Sequence, residues 1–155
     1  GAGSVIWETR YNNGDQYGYE CYDMLLDQYN QLTVSTGFGK ILRYNNTNGI
    51  PFNETNLSVQ ISGGLALVGG GIMRRTSPNE MYYAGFVGLN NKNGVALIKT
   101  DSMGNYKWYS QYLPALNAGG YVKDMTYDNQ GREYLYCNSV GAQVRSYTFK
   151  KLREN

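Results

Sequence analysis

The chain of 155 residues contains no histidine. That removes the commonest general base and the commonest metal ligand together. Ser and Cys nucleophiles lack their usual activating partner, so no catalytic constellation is marked and no enzyme is expected. Two cysteines, Cys21 and Cys137, are too few for a disulfide framework. They form one bridge or stand as two buried free thiols. Three prolines and sparse helical periodicity argue against a helical protein. Neither sign of charge dominates: 14 Lys and Arg face 12 Asp and Glu, scattered along the chain. No basic stripe points to nucleic acid. The longest apolar stretch, residues 63–73, is Gly-rich and too short to cross a bilayer. No membrane span, no signal peptide, no cofactor and no metal are expected.

What is present points to strands. Sixteen Tyr stand against four Phe. Tyr suits half-buried strand positions, where the ring packs and the hydroxyl stays wet. Twenty Gly and a similar wealth of Asn supply tight turns.

The chain repeats itself. At an offset of 101 residues, Trp7 falls on Trp108, Tyr11 on Tyr112, Gly18 on Gly119, Asp23 and Met24 on Asp124 and Met125, and Asp27 on Asp128. The register holds without a gap, and it leaves room for one further unit of about fifty residues between the copies. Three repeats are expected in one domain spanning 1–155, at approximately 5–50, 51–107 and 108–152. Each reads as short antiparallel strands closed by a strand, a turn and an aromatic. The clearest closure ends in Asp101, Gly104 and Trp108, and Phe52 stands roughly where Trp108 does. Asp27–Asn30 and Asp128–Gly131 fit β-turns in which Asp bonds the backbone and Asn or Gly takes positive φ.

The segment Ala96-Leu-Ile-Lys-Thr-Asp-Ser-Met-Gly-Asn-Tyr-Lys-Trp108 resembles the pattern LIKTDxxGNxxW of β-propeller repeat proteins of the bacterial surface and secreted type. It is distantly similar to the Trp-docking blades of quinoprotein-type propellers. The resemblance implies an all-β fold of three four-stranded antiparallel propeller-like blades, with Trp7 and Trp108 packed between blades. It does not carry over the quinone. The chain departs from the pattern in lacking the acidic-Gly-Gly turn and in having Phe52 for one Trp. A β-trefoil, also built of three units of about fifty residues, is the competing fold. Three blades are too few to close a ring. Two copies would make six with two-fold symmetry, or other chains or further sequence would supply the rest.

The candidate positions have plain structural readings. Trp7 and Trp108 in repeat register fit core packing better than ligand stacking. Asp23, Asp27, Asp124 and Asp128 lack the spacing of a calcium loop, and turn chemistry explains them. The run Gly69–Gly71 near Arg74 and Arg75 lacks the Lys-Ser/Thr of a phosphate cradle. Asn45, Asn53 and Asn56 each begin an Asn-x-Ser/Thr sequon in one Asn-rich connection, and are candidates for N-glycosylation. The leading expectation is a non-enzymatic structural or protein-interaction module, extracellular or at a cell surface, whose partners are other protein chains or further copies of itself. A lectin-like carbohydrate binder, stacking Tyr and Trp on sugar rings, is the alternative.

Overall fold

The computed structural model describes residues 3–10, 20–27, 29–61, 66–89, 92–112, 119–130, 133–140 and 145–152. Within them the chain is all-β. Three antiparallel sheets form in chain order, and in each the consecutive strands are neighbours. The first sheet holds β1 (Cys21–Leu26), β2 (Leu32–Thr36), β3 (Lys40–Tyr44) and β4 (Pro51–Asn56). The second holds β5 (Ala66–Ser77), β6 (Glu80–Leu89), β7 (Lys92–Asp101) and β8 (Tyr106–Tyr112). The third has β9 (Gly119–Tyr127), β10 (Glu133–Val140) and β11 (Arg145–Leu152), with β10 in the middle. A one-turn helix, α1 (Leu57–Gln60), links the first sheet to the second.

Strand alternation explains how the sheets stack. Successive residues of a strand point to opposite faces. On β6, Met81, Tyr83 and Val87 pack with Ile41 of β3 and with Leu57 and Ile61, so they face the first sheet. The intervening Tyr82 and Ala84 pack with Met125, Leu135 and Cys137, so they face the third. On β7, Ala96 and Ile98 join the first core, whereas Val95 and Leu97 join the second. The middle sheet is therefore buried on both faces, which is why most of β6 and the central Val95–Ile98 of β7 are apolar in unbroken runs. Each fully buried large side chain there is worth roughly 1.5–3 kcal/mol.

Trp108 lies on β8 and meets Tyr82 edge to face, with ring centroids 5.8 Å apart, beside the core shared with the third sheet. The repeat boundary placed at 51 thus falls before β4, the last strand of the first sheet, and that at 108 falls within β8, the last strand of the second. The closing aromatic belongs to the fourth strand of the sheet it follows, so β4 completes the first sheet and β8 the second. The run Gly69–Gly71 is strand, not loop: it lies within β5 and pairs with β6 through two register shifts. A Cβ at Gly71 would fall inside the Tyr83 ring, so glycine there makes room for a core aromatic.

Candidate interaction face

The turn residues do what their side chains allow. Asp27 Oδ1 accepts the backbone N–H of Tyr29 and of Gln31, both at 2.8 Å. Asp101 Oδ1 accepts those of Met103 and Asn105 at 2.8 and 2.9 Å. In both turns the fourth residue is left-handed, Asn30 at φ 59° and Gly104 at φ 85°. The two hairpins are one motif, Asp-x-x-(Asn/Gly)-x, in which the carboxylate satisfies donors that the tight backbone leaves over. Asp128 Oδ1 likewise accepts Gln130 N–H at 2.9 Å, and its Oδ2 accepts the Tyr134 hydroxyl at 3.0 Å. Among the described residues no group of three His, Cys, Asp or Glu side chains is placed to hold a metal ion.

Two charged contacts go beyond turn chemistry. Asp27 is also the partner of Arg43 on β3, and both are buried. Arg43 further donates to Met103 Sδ and lies 5.1 Å from the Phe52 ring centre. Arg74 on β5 bridges the two repeat-related aspartates. Its Nη1 donates to Asp23 Oδ2 at 3.0 Å and its Nη2 to Asp124 Oδ1 at 2.8 Å. Asp23 Oδ2 also accepts the Met73 N–H at 2.8 Å. Asp23 and Asp124 each accept the N–H of the following methionine, at 2.9 and 2.8 Å. The first strands of all three sheets are tied together at one edge by Arg74, which the sequence offered only beside the Gly69–Gly71 run.

The equivalence of the outer sheets extends to an irregularity. Asp23 pairs with Ser35 and Cys21 with Thr36, so Tyr22 is an inserted residue. Asp124 pairs with Tyr136 and Val122 with Cys137, which leaves Lys123, the residue 101 beyond Tyr22, in the same role. Such a bulge sends the residue before it back to the face of the residue two beyond it. Cys21 therefore shares a face with Met24, and Val122 with Met125.

That face is the feature of interest. In the third sheet, Val122, Met125, Leu135 and Cys137 turn toward the middle sheet and meet Trp108. Their counterparts at 101 residues' remove are Cys21, Met24, Val34 and Thr36, on the side of the first sheet away from the middle one. Met24 and Leu26 are 61% and 52% exposed there. Trp7 is the counterpart of Trp108, and it stands over this same face. With Cys21, Leu32, Val34, Leu42 and Tyr44 it lines an open pocket of about 290 Å³. Its indole Nε1 donates to Asn46 O at 2.6 Å, and its ring covers Gly49, which is left-handed at φ 69°. This apolar sheet face, with one aromatic strap on it, is the candidate interaction face.

The other predicted positions are dispersed. Phe52 lies on the fourth strand, as Trp108 does, but it is 49% exposed and joins neither core; the Arg43 guanidinium beside its ring keeps that spot polar. Cys21 and Cys137 are both free, and Cys21 is exposed where two buried thiols were expected. Burial raises both thiol pKa values, that of Cys137 to about 11, so neither is poised to react. Asn45 sits in the β3–β4 turn, where its Oδ1 accepts the Thr47 N–H at 2.9 Å. Asn53 is on β4, and the Oδ1 of Asn56, at the start of α1, is buried. Tyr11, Gly18 and Gly131 lie outside the described residues, and no side chain is described for Tyr112 or Gly119. No helix in the described residues is long and apolar enough to cross a membrane. No family model, curated protein or solved structure matches this chain.

Proposed function

We propose that the chain is a three-blade sector of a β-propeller and serves as a non-enzymatic structural or protein-interaction module within a larger assembly, outside the cell or at its surface. One observation carries the reading. The outer face of the first sheet presents Cys21, Met24 and Val34, whose counterparts 101 residues on, Val122, Met125 and Leu135, pack against the neighbouring sheet. A face built for burial and left 61% exposed at Met24 favours association. Three meander sheets stacked face to face support blades over a trefoil, whose units share one closed barrel.

The test is Met24→Lys. Met24 touches neither described core, so the variant folds as the parent does by circular dichroism. A lysine at the centre of a desolvated interface is costly. Sedimentation of the variant therefore shows a particle of lower mass than the parent. A parent and variant of identical, single-chain mass would overturn the reading.

A further inference from the structure

We infer that the occupant of this face is a second copy of the chain, and that residues 3–10 of each copy form the fourth strand of the other copy's third sheet. The inference rests on the assembly reading above and names its partner and its contact.

Two unfinished features complement one another. The first two sheets have four strands each, and in the second the fourth strand carries Trp108. Among the described residues the third sheet has three, with β11 at one end of the order and only β10 beside it. The unpaired backbone groups of such an edge are a template for another strand. Residues 3–10, meanwhile, carry Trp7, the register counterpart of Trp108, yet no described strand pairs with them. They hold a fourth-strand sequence and lie where a fourth strand of a preceding sheet would lie, over the outer face of the first sheet.

The ladders specify the pairing. Met73 and Met125 each face the sheet before their own, and Met24 is the counterpart of Met125 at 101 residues' remove. From Met73 the ladder runs across Tyr83 to Ile98, and from Met125 across Leu135 to Lys150. Ile98 and Lys150 are therefore equivalent, and Leu97 and Phe149 likewise. Ile98 pairs with Tyr109 and Leu97 with Ser110 on β8. Removing 101 residues from the β8 partners sets Glu8 opposite Lys150 and Thr9 opposite Phe149, across the two copies. The same placement lays the second copy's third sheet on Met24, Leu26 and Val34. Because each copy gives a strand and takes one, two copies close on themselves with two-fold symmetry. The exchange is the economical kind of dimer, using pairings the fold already contains.

A disulfide test reads the register directly. In a chain carrying Cys21→Ser and Cys137→Val, Thr9→Cys is made in one version and Phe149→Cys in another, and the two are co-expressed and oxidised. The expected result is a disulfide-linked band of two-chain mass from the pair and none from either version alone. In solution the parent sediments as two chains, and Trp7→Ala raises the dimer dissociation constant about tenfold or more, as loss of a buried aromatic anchor does. A larger particle without the Thr9–Phe149 link overturns the strand exchange and leaves the assembly reading standing. A folded particle of one-chain mass, or a chain carrying both substitutions that links within itself, overturns the exchange, and the first of these overturns the assembly as well.

Discussion

Replacing Asp27 by Asn isolates the charge of a buried pair from its geometry. The amide oxygen still accepts the Tyr29 and Gln31 N–H groups that the carboxylate holds at 2.8 Å, so the hairpin survives. What is lost is the counter-charge of Arg43, which is 3% exposed. Arg43 would keep only the Met103 sulfur and the Phe52 ring, and its Nε is already buried without a partner. Stranding a buried charge costs about 3–5 kcal/mol. At this chain length that is a fall of roughly 6–20 °C in Tm. Arg43→Met should cost less, because the Asp27 carboxylate retains two backbone donors. The double variant Asp27→Asn/Arg43→Met should recover most of the loss, since an apolar replacement of both partners is often neutral. Urea titrations of the four proteins measure the coupling. A loss below about 1 kcal/mol for Asp27→Asn, the range of exposed pairs, would refute the reasoning. So would strictly additive losses.

Gly71→Ala should destabilise by about 1–3 kcal/mol, because its methyl enters the space of the Tyr83 ring. Combined with Tyr83→Leu it should cost less than the two changes summed, and additivity would contradict the contact. The Cys137 thiol gives a pH dependence. Burial raises its folded pKa from 9.0 to about 11, so its neutral form is favoured in the folded state. Its contribution is full below pH 9 and is lost as pH climbs toward 11. Cys137→Val should flatten that part of the alkaline stability profile, and an unchanged slope would show the thiol is not buried in solution.

The repeat arithmetic reached far because hairpin turns and strand alternation are local. Asp27 and Asp101 announce their turns by residue type, one in the first hairpin of the first sheet and the other in the last hairpin of the second. The boundary at 108 fell inside β8 for a physical reason: Trp108 packs forward onto the next sheet, so in sequence it looks like a beginning. Trp108 is fourth in its own sheet yet touches the core of the third. The charged contacts were hidden because nothing periodic joins their members. Asp27 is in the β1–β2 turn and Arg43 on β3, and Arg74 meets Asp23 and Asp124 across three sheets. The bulge at Tyr22 was equally silent, and it is what brings Cys21 onto the open face. The face itself was legible only in part. Its apolar residues are ordinary strand residues, and the exposure of Met24 and Leu26 is a property of stacking order rather than of composition.

The native mass of the unmodified chain, measured by sedimentation at micromolar concentration, tests the central claim most directly. The account predicts a stable particle of more than one 17.4 kDa chain, held through the outer face of the first sheet. A fully folded particle of 17.4 kDa, unchanged as concentration rises, would contradict it.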